Sequence, residues 1–198
     1  LDIGCGASCI YPLIATGMHP TWTMVGSDTN KTALKYARRN VEANKRQERI
    51  LLRHQADKGS IFKGIVESQE KFAFSMCNPP FYKSQKEAET KNRRKNKNLN
   101  RQKSSNNKSV TQNLCGVDEE LWYPGGEVAF ITKMIKESSL TEIRNSILWF
   151  TTLVNAGDSL PKLDNQLRRC GVLQKNRKVI SIVSGNKVSR ILCWSFSN

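Results

Sequence analysis

Short apolar runs alternate along this chain with amphipathic stretches, and that alternation leaves few folds open. Leu1-Asp2-Ile3-Gly4-Cys5-Gly6 reads as the end of a strand running into a glycine turn. Residues 8–16 suit a short helix and Trp22–Asp28 a second strand. Residues 30–44 form a helix in which Ala33, Tyr36, Ala37 and Val41 recur at helical spacing. Ile50–His54 and Phe72–Cys77 read as strands, and 127–139 as a helix with Val128, Ile131, Met134 and Ile135 on one face. Ser146–Val154 reads as a buried strand, 159–170 as a helix, and Val179–Val183 and Arg190–Phe196 as closing strands. Strands separated by helices pair in parallel, because the crossover returns the chain to the same edge. The last two strands have only Ser184-Gly185-Asn186 between them and are expected to form an antiparallel hairpin. The expectation is an α/β protein with a mostly parallel seven-stranded sheet and helices on both faces. At 198 residues, one domain over 1–198 with one insertion accounts for the chain.

Charge narrows the partner. There are 32 Lys and Arg against 17 Asp and Glu, a net +15. A balance this basic favours a polyanion, nucleic acid first among them. A solvated basic surface is the plainer alternative. Residues 83–113 hold ten basic side chains against Glu87 and Glu89, a net +8. This stretch is rich in Asn and Ser, cannot bury enough surface to order itself alone, and reads as a basic, disordered insertion loop. No apolar run approaches the 18 residues of a membrane span. The six cysteines lack a Cys-x-x-Cys pair and read as reduced thiols. His19 and His54 lie at no metal-ligand spacing from a cysteine pair, so no metal site is expected. The chain opens on Leu1, already inside a strand-like run, and the start of the domain is expected to be missing.

Two short segments carry the chemistry. The turn Asp2-Ile3-Gly4-Cys5-Gly6-Ala7-Ser8 needs glycine, because without Cβ the backbone approaches a ligand closely. A dinucleotide fingerprint would place a third Gly where Cys9 stands, so this turn suits a cofactor without a pyrophosphate. Asp28, 22 residues after Gly6 at a strand end, is placed to accept the hydroxyls of a ribose. The second segment is Cys77-Asn78-Pro79-Pro80-Phe81-Tyr82, on the same sheet edge. Two successive prolines donate no N–H while their carbonyls still accept, and Asn78 adds a side-chain acceptor. Together they suit a planar exocyclic amine, as N-methylation of adenine or cytosine requires. Accepting its hydrogens returns electron density to a nitrogen whose lone pair is delocalised into the ring. Phe81 and Tyr82 are placed to stack on a base.

These segments resemble class I S-adenosylmethionine-dependent methyltransferases of base amino groups, with a Rossmann-like fold. Leu1–Leu13, Cys77–Phe81, Gly125-Gly126-Glu127 and Trp194-Ser195-Phe196 resemble the family of RlmF and methyltransferase-like protein 16, RNA adenine-N6 methyltransferases. Leu52-Arg53-His54-Gln55 with Ile61-Phe62-Lys63-Gly64-Ile65, Arg93–Asn100, Glu120-Leu121-Trp122 and Trp149–Val154 lean towards its 23S ribosomal RNA branch rather than its U6 small nuclear RNA branch. The resemblance implies that Asp2, Gly4, Gly6 and Ser8 lie at the cofactor's methionine end. It implies that Asp28 holds the ribose and Gly59 borders the adenine. Asn78, Pro79, Pro80 and Phe81 then hold the target adenine. The basic insertion supplies Arg93, Arg94, Lys95, Lys97 and Arg101 to RNA phosphates. A monomer acting in the cytoplasm is implied, or in the nucleus of a eukaryotic host if the substrate is small nuclear RNA. Two other readings stay open: a small-molecule amine methyltransferase on the same scaffold, which has no use for the basic loop, and a catalytically silent RNA-binding module.

Overall fold

The computed structural model describes residues 1–87, 90, 122–185 and 187–197. In chain order its elements are β1 (Asp2–Ile3), α1 (Ile10–Met18), β2 (Met24–Asp28), α2 (Lys31–Ala43), β3 (Ile50–His54), β4 (Phe72–Cys77), α3 (Gly126–Ser138), α4 (Thr141–Ser146), β5 (Ile147–Val154), α5 (Leu160–Arg169), β6 (Arg177–Ser184) and β7 (Lys187–Trp194). The strands form one sheet in the order β3-β2-β1-β4-β5-β7-β6. The first five run parallel, while β7 is antiparallel to both β5 and β6. The Ser184–Lys187 pair closes the hairpin, with Gly185 at φ +57° in the left-handed conformation such a turn needs.

Two apolar clusters hold the layers. Leu34, Ala37 and Val41 of α2 pack with Cys5, Cys9, Met24 and Ile50, and Leu13 and Ala15 of α1 border the same cluster. The larger cluster joins Ile131, Met134 and Ile135 of α3 and Leu163 and Leu167 of α5 to Phe150, Val154 and Leu192 of the sheet. Trp194 is fully buried there, stacked on Phe150 at a centroid distance of 5.6 Å. Its indole N–H donates to Ser138 Oγ at 3.0 Å, which removes the cost of burying that donor. Asn30 caps α2, its side-chain oxygen accepting from the N–H groups of Thr32 and Ala33.

The alternation read from the sequence holds, with shifts at the ends. The first helix starts two residues later than expected. The glycine turn runs on to Cys9, which itself sits at φ +50°. The second strand starts at Met24 rather than Trp22. β6 and β7 span Arg177–Ser184 and Lys187–Trp194, so Ser195 and Phe196 fall beyond the sheet and β6 is longer than its apolar run. The six-residue α4 was not expected; with Ile143 its one buried apolar side chain, it offers no helical period to read.

Candidate functional site

β1 lies between β2 and β4, so the chain leaves it at the point where the strand order reverses. In an open α/β sheet the carboxyl ends of strands on either side of that point face a common crevice. Here those ends are Gly4 after β1, Asp28 at the end of β2 and Asn78 after β4. All three line one cleft of about 660 Å³. A second cleft of similar volume opens at the opposite edge, where β4 and β5 begin, lined by Lys71, Arg144 and Phe196. It gathers none of the residues singled out from the sequence.

The glycine turn is pinned to β2. The N–H groups of Gly4 and Cys5 both donate to Ser27 O at 2.9 Å, and that of Gly6 donates to Asp28 Oδ2 at 2.9 Å. These donors are spent within the protein, which separates the turn from loops that cradle phosphate with free N–H groups. Gly4 sits at φ +73°, and a Cβ built on it meets no atom within 4 Å. It presents bare backbone to open space at the cleft, with room for a ligand against it.

Two carboxylates lie beneath and beside this turn. Asp28 is 6% exposed; its other oxygen accepts from Asn30 N–H at 2.8 Å. Burial pushes its carboxyl up, against the stabilising N–H groups of Asn30, Gly6 and Thr29. The carboxylate still has lone-pair capacity for a ligand hydroxyl. Asp2 is 1% exposed, and its Oδ2 has no hydrogen-bond partner among the described residues. Burial pushes its carboxyl up to about 7; the nearby N-terminal ammonium opposes this and Asp28 adds to it.

On the glycine side the cleft is continued by the loop after β3. Asp57 folds it tightly, accepting from Gly59 N–H at 2.7 Å and Ser60 Oγ at 2.7 Å, and Gln55 Nε2 donates to Lys63 O at 2.8 Å. Gly59, Ser60 and Ile61 face the cleft. The far wall is Asn78 and Pro80 together with Trp122, Tyr123 and Phe130. Tyr82 and Trp122 pair in a short parallel bridge, and Tyr123 N–H donates to Tyr82 O at 2.9 Å. The two ends of the basic insertion are thereby joined at the rim of the cleft.

The structure therefore brings Gly4, Asp28, Gly59, Asn78 and Pro80 together. Gly6 reaches the site through Asp28, and Asp2 lies buried below it. Pro79 is buried behind Asn78, Phe81 is 37% exposed at the rim, and Ser8 is exposed outside the cleft lining. Arg93, Arg94, Lys95, Lys97 and Arg101 lie outside the described residues. Sequence reasoning reached Ser60 and Ile61 only as part of the segment near Gly59, and missed Trp122, Tyr123 and Phe130 as cleft residues. The Asp57-Lys58-Gly59-Ser60 turn and the Gly125-Gly126 pair were the available signals, since both punctuate the chain where it must bend.

The sheet order, antiparallel closing strands and cleft at the reversal point define a Rossmann-like methyltransferase domain. Its layout matches the hMettl16 catalytic domain, seen in complex with the MAT2A 3′UTR hairpin 1, with a TM-score of 0.77 and 28% identity; the match covers 100% of this chain and 63% of that one. The fold is also that of the N-terminal domain of human METTL16 in complex with SAH, at a TM-score of 0.70. The RNA methyltransferase family model matches residues 1–198, and the chain belongs to that family. It is 42% identical over 197 residues to ribosomal RNA large subunit methyltransferase F of Christiangramia forsetii, covering 99% of this chain and 65% of the relative. It is 42% identical over 200 residues to the protein of that name from Escherichia coli strain SMS-3-5, covering 61% of it. The chain thus spans less than two thirds of the length of these relatives. Among the described residues no helix is long and apolar enough to cross a membrane.

Proposed function

We propose that this domain methylates the exocyclic N6 of an unpaired adenine in large-subunit ribosomal RNA, with S-adenosylmethionine as donor. The observation that carries the reading is the shared cleft: Asn78 and Pro80 of the Asn-Pro-Pro strand end face a bare glycine turn and a strand-end carboxylate across one cavity. The cofactor fits the residues present. Gly4 leaves space where a Cβ would intrude, Asp2 holds an unsatisfied buried acceptor, and Asp28 retains lone pairs for ribose hydroxyls. Gly59 and Ile61 border the space for its adenine. When bound, the cofactor supplies an electrophilic sulfonium methyl group.

The chain's own residues position the nucleophile. Asn78 Oδ1 and the carbonyl of Pro79 accept the two hydrogens of the target amine, which keeps its lone pair on nitrogen and turned towards the glycine side. Holding reactants about 3–3.5 Å apart in line supplies much of the rate. Phe81 stacks on the base, and a paired adenine has to be extruded to enter. The ribosomal substrate is supported by the names of relatives at 42% identity. A second reading, a hairpin in another RNA such as U6, has support from the fold match to a domain bound to a messenger hairpin at 28% identity. Offering large-subunit ribosomal RNA and U6 RNA together with methyl-labelled cofactor tests the choice. Label is expected in the ribosomal RNA. Label confined to U6 establishes the second reading, and label in neither overturns both.

A further inference from the structure

Helix α3 carries two buried glutamates that the catalytic reading does not use. Glu137 is 8% exposed, yet no ion pair to it occurs among the described residues. Its carboxylate instead collects backbone N–H groups from a segment 74–76 residues earlier in the chain. Oε1 accepts from Ile61 at 3.1 Å, Phe62 at 2.7 Å and Lys63 at 2.6 Å, and Oε2 accepts from Ile61 at 2.9 Å. A carboxylate buried without a cation survives only if it is fully hydrogen-bonded, and charge-assisted bonds of this kind are the strong ones. These donors also open a turn, because Ile65 and Val66 N–H both return to Phe62 O. The carboxylate therefore holds three successive amides in one orientation, and Ile61, the first of them, faces the cleft beside Gly59 and Ser60.

We infer that Glu137 is a positioning residue that pre-shapes the wall against which the cofactor's adenine packs, an assignment that rests on the cofactor reading above. Without it, three donors lose their acceptor, while Asp57, Gln55 and Arg53, whose Nη1 donates to Ile65 O at 2.6 Å, still hold the flanks of the segment. A wall ordered before binding spares the ligand the cost of ordering it. The contribution is to cofactor affinity and not to the transfer step, because the proposed function assigns the target amine to Asn78 and Pro79, outside this segment. Glu127 provides a matched contrast. It sits on the same helix at 7% exposure, and its carboxylate accepts from Asn155 N, Asn155 Nδ2 and Ala156 N at 2.9, 2.8 and 3.3 Å. That loop follows β5 and contributes nothing to the cleft lining.

The test is calorimetric binding of S-adenosylhomocysteine to the unaltered protein, Glu137→Gln and Glu127→Gln. A glutamine keeps one acceptor and turns an NH2 group against a backbone donor. The Kd of Glu137→Gln should rise about ten-fold or more, while Glu127→Gln stays within about two-fold. At saturating cofactor, kcat of Glu137→Gln on RNA should remain within about two-fold, so the loss appears as a cofactor KM effect. Unchanged Kd in Glu137→Gln, or an equal rise in both variants, overturns the assignment. Absence of binding by the unaltered protein overturns the cofactor reading and this role with it. Should Glu137→Gln fail to fold, amide exchange in the unaltered protein decides. The amides of Ile61, Phe62 and Lys63 should be protected before cofactor is added; protection that appears only on binding overturns a pre-formed wall.

Discussion

The two walls of the cleft are built differently. The glycine side is polar and rigid: the Gly4, Cys5 and Gly6 amides are tied to β2, and the 57–63 loop is folded around Asp57 and Glu137. The opposite side is made of Asn78, the prolines and a group of aromatic rings, with Tyr123 packed edge-on to Phe130 at 5.3 Å. The chain returns to that side only after the long basic insertion. A charged ligand of fixed shape suits the first wall; a flat base that must enter, stack and leave suits the second. Under the proposed function the contrast makes binding and transfer separable, and substitutions on the two walls should divide accordingly.

The largest effect is expected at Asn78. An acceptor whose bond strengthens as the amine becomes nucleophilic acts on turnover more than on binding. Asn78→Ala should slow single-turnover methylation by about 10²–10³-fold, while RNA affinity, dominated by phosphate contacts, stays within a few-fold. Asn78→Asp, which keeps an acceptor, should retain more activity than Asn78→Ala. A rate equal to the unaltered protein's in Asn78→Ala erases the division between the walls.

Asp2 comes next, read out as stability against pH. Its folded pKa of about 7 stands above the ordinary 3.8, so the folded state holds a proton that the unfolded chain releases. The stability this provides is complete below about pH 4 and is lost as pH rises through 7. Denaturant titrations of the unaltered protein should therefore decline, relative to Asp2→Asn, by roughly 3–4 kcal/mol over that window. Parallel pH profiles would show that Asp2 titrates like an exposed carboxylate.

Asp28→Ala should weaken cofactor binding by about 10- to 100-fold, since a carboxylate hydrogen bond is worth about 1.5–3 kcal/mol. At saturating cofactor its transfer rate should recover, unlike that of Asn78→Ala. Persistent slowing would place Asp28 on the transfer side and blur the comparison. The smallest effect is expected from the insertion, whose Arg93, Arg94, Lys95 and Lys97 lie outside the described residues. Neutralising all four should flatten the salt dependence of RNA binding by about 0.7 per lost phosphate contact and leave cofactor affinity unchanged. Coincident slopes would make the insertion a solvated tether.

What the sequence reveals of this site follows from local necessity. A strand end that must admit a ligand shows itself as glycine, a strand-end acid as Asp28, and an acceptor-only turn as two prolines. Each is dictated by a single residue's backbone or side-chain chemistry, and each was legible. The sheet was legible for a related reason, since apolar runs and helical spacing repeat. Glu127 and Glu137 were not, because on an amphipathic helix a glutamate reads as solvent-facing until the loop that fills its oxygens is known. Trp122 and Tyr123 were hidden similarly: their place in the cleft depends on the Tyr82 bridge, which closes across about forty residues of chain. Non-local hydrogen bonds of this kind leave no period in the sequence.

In the proposed function, Asn78 and the Pro79 carbonyl select the atom that receives the methyl group, and nucleoside analysis of labelled RNA reads that atom directly. Large-subunit ribosomal RNA incubated with the protein and methyl-labelled S-adenosylmethionine, then digested and resolved by mass spectrometry, should yield N6-methyladenosine as the labelled nucleoside. Label on a ring nitrogen, a ring carbon, a ribose hydroxyl or another base would contradict the role given to the Asn-Pro-Pro strand end.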